Sequence, residues 1–173
     1  MEFSFLYFLQ TLHNPLLDWI MIFFTNLGEF GTIWIVTAIV LLCFQKYRPY
    51  GVLMLVAMLV TFLIGEIGLK NLIMRQRPLI ADPTVPQLIP RPSGSSFPSG
   101  HTASSFTAAW ILWKANRKFG AAGLTVAFCI AFSRLYLFVH YPTDVLGGAV
   151  LGIFCAQCIY LLYQRLIRKK ASV

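Results

Sequence analysis

Two histidines, one aspartate and three cations stand out in a chain of 173 residues that is 58% hydrophobic. Ionisable groups in so apolar a sequence are costly and point to function. In SRLYLFVHYPTD, residues Ser133, Arg134, His140 and Asp144 crowd one short stretch. A carboxylate near an imidazole fixes one tautomer and frees the other ring nitrogen for attack. Pro142 suits the first turn of a helix, which puts Asp144 one turn in and His140 just before it. Arg134 and His140 are six residues apart, roughly 240 degrees on a helix, so the preceding helix must end or bend for them to meet. Lys70 and Arg77 are seven apart, roughly 700 degrees, which predicts one shared helix face. Glu66 stands one turn before Lys70 in the favourable order and can hold its ammonium, although two cations at a helix end also look like simple snorkelling.

Pro98-Ser99-Gly100-His101 opens a further apolar run. A helix start presents unpaired N–H groups and the positive end of its dipole, ready for an anion. Gly100 lets a ligand approach the backbone, Ser99 is either a cap or a ligand, and His101 can donate to an oxyanion or sit at the interface. Two or three cations around such donors match a phosphate dianion. Two histidines and an aspartate could in principle hold zinc, but the surrounding cations would repel it, so no metal is expected.

Apolar runs at 15–27, 31–44, 50–74, 100–113, 121–139 and 144–164 predict six spans. The expected fold is all-α, an integral membrane six-helix transmembrane bundle forming a single domain over 1–173. Met1 to Leu12 is an interfacial helix or an extension of the first span; it carries Glu2 and no Lys or Arg, unlike a secretory signal. The loop from Pro78 to Pro98 holds six of the nine prolines and cannot be a regular helix.

Lys46 and Arg48, then Lys114, Arg117 and Lys118, then Arg165, Arg168, Lys169 and Lys170 follow alternate spans, which makes their shared face cytoplasmic. Both termini are expected there, with the active site at the outer face, where the ends of spans three and five meet the starts of four and six. The net charge of +8 is then a topology signal and an attraction to anionic lipid, not a nucleic-acid footprint. Lys70, Arg75, Arg77, Arg91 and Arg134 remain on the outer face against this preference, and a bound anion would explain them. Cys43, Cys129, Cys155 and Cys158 lie in apolar runs, and the lone C-x-x-C of Cys155 and Cys158 carries no redox or zinc expectation. Gly148, Gly152 and Ala156 form a small-residue stripe, for tight packing within the bundle or for a dimer face. The oligomeric state stays open.

K-x6-RP (Lys70 to Pro78), PSGH (Pro98 to His101) and SR-x5-H-x3-D (Ser133 to Asp144) resemble the three signature motifs of the phosphatidic acid phosphatase type 2 superfamily, in order and without a departure at the motif positions. The resemblance covers residues 70 to 144 directly. The hydropathy is similar to that of the membrane lipid-phosphatase branch, rather than the soluble acid phosphatases and vanadium haloperoxidases. It implies that His140 is a nucleophile forming a phosphohistidine, that Asp144 orients it, and that His101 protonates the leaving oxygen and later activates water. Lys70, Arg77 and Arg134, with Ser99 and the Gly100 backbone, would bind the phosphate without metal or cofactor. For these roles His140 must be neutral and His101 charged, and a phosphate dianion favours the charged form.

The implied partner is a lipid phosphate or diphosphate in the bilayer, reached sideways from the outer leaflet of a bacterial inner membrane. LIPRPSGSSFPSGHT is similar to the loop of undecaprenyl-diphosphate phosphatases, some of which carry Asp where Gly100 stands. Undecaprenyl diphosphate is the preferred substrate, with phosphatidylglycerophosphate or phosphatidic acid as alternatives. A lipid phosphotransferase would pass the phosphoryl group from His140 to a hydroxyl. A headgroup transporter would need the cations but no nucleophile. Arg91 is either a contact for a second phosphate or a solvated loop charge.

Overall fold

The computed structural model describes residues 1–171, with side chains through Lys169; the Lys170 side chain, counted in the third basic cluster, lies outside the described residues. Every regular element among them is helical. After α1 (Glu2–Gln10), the Asn14 side chain accepts a hydrogen bond from the Leu17 N–H and Pro15 sets the first turn of α2 (Pro15–Leu27). A short 3-10 turn over Glu29–Gly31, with Phe30 and Gly31 at φ of 50° and 67°, leads into α3 (Thr32–Cys43).

That turn redirects the chain but does not reverse it. The axes bend by 48°, so α2 and α3 run in the same sense. The two spans expected at 15–27 and 31–44 are therefore a single bent rod. Next, α4 (Arg48–Phe62) continues through a π-helical stretch, Leu63–Leu69, into α5 (Lys70–Ile73), where Met74 at φ 49° ends it. A one-turn helix α6 (Pro78–Ala81) begins the proline-rich loop. Then come α7 (Gly100–Ala115), α8 (Arg117–Tyr136) and α9 (Pro142–Ala171). By length and composition Arg48–Ala81, Arg117–Tyr136 and Pro142–Lys169 can each cross a membrane, and the bent pair is long and apolar enough for a fourth if it is taken as one span.

The 16-residue α7 is the central rod, with buried residues on every side, which shields so short a helix from lipid. Small residues bring its neighbours to backbone contact. A Cβ on Gly152 would stand 2.3 Å from the Ala103 carbonyl oxygen and one on Gly148 would stand 2.6 Å from that of Ser99. The small-residue stripe of α9 is thus spent inside the bundle against α7, not on a dimer face.

Tyr47 and Phe119 rings lie 5.5 Å apart, and the Lys114 ammonium sits over Trp110 and Tyr160 at 4.7 and 5.3 Å. The end of α3, the α7–α8 turn and the distal part of α9 therefore share one end of the bundle. At the opposite end Tyr7 of α1 donates to Asp82 at 2.7 Å, and His13 stacks on Tyr136 at 4.2 Å. Leu6 and Leu9 are buried there in a cluster with Leu79, Tyr136 and Phe138. This corrects the expected topology. With α2–α3 as a single rod, five rods traverse the bundle, α1 caps one end, and the distal part of α9 points to the other. The N-terminal helix and the distal end of α9 do not share a face, whereas the described residues of the three basic clusters still do.

Candidate active site

The α1 end holds a cavity of about 320 Å³ whose polar base is formed by Lys70, Arg77, His101, Arg134 and His140. Phe30, Met58 and Phe62 supply apolar wall, and Phe30 is 88% exposed. Four chain segments converge here because α8 ends at Tyr136 and Phe138, at φ 57°, turns the chain back towards α9. That break is what brings His140 under Arg134.

His140 is buried. Its Nδ1 lies 3.5 Å from Asp144 Oδ2 and 3.4 Å from Ser96 Oγ, while its Nε2 meets Arg77 Nη1 at 3.2 Å. A guanidinium can only donate, so Nε2 carries the lone pair and Nδ1 the proton. Burial holds the His140 imidazole well below its ordinary range, against the opposing pull of Asp144. The ring is therefore neutral, and its Nε2 electron pair accepts the Arg77 N–H at the cavity that both residues line. Asp144 is fully buried and saturated: Oδ2 accepts from the Tyr141 N–H at 2.8 Å and from Ser96 Oγ, and Oδ1 accepts from Arg75 at 2.7 Å.

Arg77 is not on one helix with Lys70. Residues 74–77 leave the helix after Met74, so the seven-residue spacing does not set a shared face, and the cations meet because the chain folds back. Arg77 is held by the carbonyls of Gly94, Ser93 and Val139 at 3.1, 3.0 and 3.2 Å. Its three backbone partners are neutral and leave its charge available to an anion. Lys70 pairs as expected with Glu66, with Nζ 2.8 Å from each carboxylate oxygen. The π-helical turn that carries Glu66 aims it at α7: a Cβ on Gly100 would lie 2.2 Å from Glu66 Oε1.

Ser99 is buried at the N-cap of α7 without a capping hydrogen bond. Its hydroxyl accepts from Thr102 Oγ1 at 3.0 Å, and its N–H donates to the Asp144 carbonyl at 3.0 Å, which ties the helix start to α9. It does not line the cavity, whereas Gly100 and His101 do. Arg91 is exposed and does not line it either.

Two atoms carry the electrostatic message. His101 Nε2 and Arg134 Nε are buried without a hydrogen-bond partner, and among the described residues no other buried side-chain nitrogen or oxygen is so left. Arg134 spends an Nη1 hydrogen on Thr25 Oγ1, and His101 Nε2 comes within 3.3 Å of Glu29 Oε2 without bonding to it. Buried polar groups are nearly always satisfied, so the unmet Arg134 N–H and the unmet His101 ring nitrogen, a donor once that ring is protonated, make the cavity these residues line a seat for ligand oxygens. The cations that crowd His101, His140 and Asp144 make the same seat hostile to a metal ion.

A profile of the PAP2 superfamily matches residues 46–168. The chain belongs to the PAP2 superfamily. It is 31% identical over 138 residues to the undecaprenyl-diphosphatase of Sulfolobus acidocaldarius, covering 79% of this chain and 66% of that protein. Against the undecaprenyl-diphosphatase BcrC of Bacillus subtilis it is 32% identical over 145 residues, covering 82% and 72%. The crystal structure of Aquifex aeolicus LpxE superposes with a TM-score of 0.82 at 30% identity, over 92% of this chain and 94% of that one. The chain thus spans about two thirds of the archaeal relative's length.

This PAP2 member also uses residues outside the motif reading. Ser96 bonds Asp144, Thr25 holds Arg134, and Glu29 flanks His101. Arg75 donates to Asp144 and Thr143 and pairs with Glu2 at 2.6 Å. Arg75 alone had a signal in the sequence, as one of the outer-face cations that oppose the positive-inside preference. The others come from segments remote in sequence with nothing to mark them.

Proposed function

We propose that the protein is a metal-independent membrane lipid phosphatase working through a phosphohistidine at His140. The observation that carries this reading is one cavity lined by His140, whose Nε2 accepts from Arg77, and by His101 and Arg134, each of which keeps a buried nitrogen without a hydrogen-bond partner. A phosphate seated there takes hydrogen bonds from Arg134, Arg77 and Lys70, and the Arg77 Nη1–H passes from His140 Nε2 to a phosphate oxygen, which frees the ring's electron pair. His140 Nε2 then attacks phosphorus as the P–O bond to the leaving oxygen breaks, and protonated His101 gives that oxygen its proton. Asp144 stabilises the positive charge that develops on the ring. In the second half, His101 takes a proton from water, whose oxygen attacks phosphorus and releases His140 and inorganic phosphate. Ser99 contributes by fixing the start of α7 rather than by contact.

We assign undecaprenyl diphosphate as the preferred substrate, supported by the names of two relatives and by the apolar wall beside the phosphate seat. Phosphatidylglycerophosphate and phosphatidic acid are the alternatives. The site is assigned to the outer face of a bacterial inner membrane because the three basic clusters that follow α3, follow α7 and close α9 gather at the opposite end of the bundle. The test is phosphate release in detergent with EDTA from these three lipids, by wild type and His140→Ala. Metal-independent release that His140→Ala abolishes, fastest from undecaprenyl diphosphate, is expected. Release that survives in His140→Ala contradicts the mechanism. Phosphoryl transfer to an added alcohol without free phosphate would make the protein a phosphotransferase.

A further inference from the structure

Asp144 is held from both sides. Its Oδ2 faces His140, Ser96 and the Tyr141 N–H, and its Oδ1 is bound by Arg75 Nη1 at 2.7 Å. Arg75 is itself fixed at three further points. Nη1 also donates to Thr143 Oγ1 at 2.6 Å, Nη2 donates to Glu2 Oε2 at 2.6 Å, and the guanidinium lies over the Tyr141 ring at 4.0 Å. Glu2 Oε1 accepts from the Thr143 hydroxyl at 2.7 Å and from its N–H at 3.2 Å, one residue before Asp144. The Arg75 carbonyl in turn accepts the Ser96 N–H at 2.8 Å, so the residue that binds one Asp144 oxygen also seats the serine on the other. A planar guanidinium locked at several points fixes a carboxylate's rotation as well as its charge.

We propose that Arg75, anchored by Glu2 of α1, is a positioning residue that fixes the Asp144 carboxylate against His140, so that the N-terminal helix is part of the catalytic apparatus. The proposal rests on the phosphohistidine reading of the site. A fully buried carboxylate that loses its only cationic hydrogen-bond donor must rotate, protonate or bind its histidine differently. Either of the first two changes leaves the ring misaligned for attack. Two residues further on, Arg77 reaches His140 Nε2, so the short segment 74–77 grips both members of the pair. The charged and titratable groups around them are His101 and Arg134 from α7 and α8, Lys70 with Glu66, Arg77, Tyr141, and the Arg75–Glu2 pair. Arg75 and Glu2 can be altered without touching the phosphate seat.

The experiment compares kcat, KM and the pH dependence of kcat for wild type, Arg75→Gln, Arg75→Lys, Glu2→Gln and His140→Ala, on undecaprenyl diphosphate in detergent with EDTA. Arg75→Gln is expected to lower kcat by about 10- to 100-fold, the rate equivalent of one lost hydrogen bond to a charged group, with KM nearly unchanged. Its acidic limb moves upward by on the order of one unit, because an imidazole beside a carboxylate that no cation offsets holds its proton more tightly. Arg75→Lys restores the limb by restoring the charge, and regains only part of kcat because the fork is lost. Glu2→Gln gives a smaller loss in the same direction. If Arg75→Gln does not yield folded protein, the same two readouts are taken from Arg75→Lys and Glu2→Gln. Unchanged kcat and pH dependence in folded variants, or a rise in KM alone, overturns the proposal while His140→Ala remains inactive. Turnover retained in His140→Ala instead overturns the mechanism beneath it.

Discussion

Arg134 is buried at 3% exposure with one donor unspent, an arrangement that costs the fold and serves a ligand. An unmet buried donor costs about 1–3 kcal/mol, more when charged. Replacing Arg134 with methionine is therefore expected to abolish turnover while leaving the melting temperature in detergent unchanged or raised. A marked fall in melting temperature would show that the cation serves the fold. His140 gives the pH prediction. Burial lowers its pKa, so the neutral, attacking form persists to lower pH than for an ordinary imidazole. As pH falls through 6.5, kcat/KM should show no loss attributable to His140, and its acid limb should lie well below that value. A limb centred near 6.5 that His101→Gln leaves in place would contradict this. At this scale the sequence was most legible, because motif positions name side chains regardless of how the chain arrives. It missed Glu2, Ser96, Thr25 and Glu29 for the converse reason: each enters from a distant segment and depends on where a loop or terminus lands.

The helices show where spacing arithmetic holds and where it fails. Glu66 and Lys70 pair as the four-residue spacing expects, even across the π-helical turn. Lys70 and Arg77 do not share a helix face, because Met74 takes a left-handed conformation and ends α5 between them. Hydropathy separates α2 from α3 at Gly28–Gly31 but carries no direction, so a bend and a hairpin read alike. The small-residue stripe was legible as a packing surface, though its partner was not. A methyl group on Gly152 would press on the Ala103 carbonyl at 2.3 Å, and backbone on both sides cannot yield locally. Gly152→Ala should cost about 1–3 kcal/mol, read as a lower melting temperature, with reduced activity as α7 and the phosphate seat shift. Wild-type stability in this variant would mean that α7 and α9 pack less tightly than described.

Across the whole molecule, chemistry and charge are segregated. The phosphate seat, α1 and the proline-rich loop occupy one end, and Lys46, Arg48, Lys114, Arg117 and Lys118 the other. The sequence conveyed this polarity correctly through its basic clusters, since each follows a rod that runs away from the site. It divided one bent rod, α2–α3, into two elements, because hydropathy reads a bend and a hairpin alike. In a background lacking Cys43, Cys129, Cys155 and Cys158, a cysteine at Glu2 or Ser93 should react with an impermeant maleimide from outside intact cells. One at Lys118 should react only in inverted vesicles. Labelling of positions 2 and 118 from the same side would contradict the five-rod arrangement.

The central claim is that a phosphoryl group rests covalently on His140. The most direct test is to mix purified protein with undecaprenyl diphosphate in EDTA, quench in base, where phosphohistidine survives, and search the peptides by mass spectrometry. A phosphoryl adduct on His140 in wild type that is absent from His140→Ala is the expected result. Turnover without any adduct on His140, or an adduct on another residue, would contradict the account.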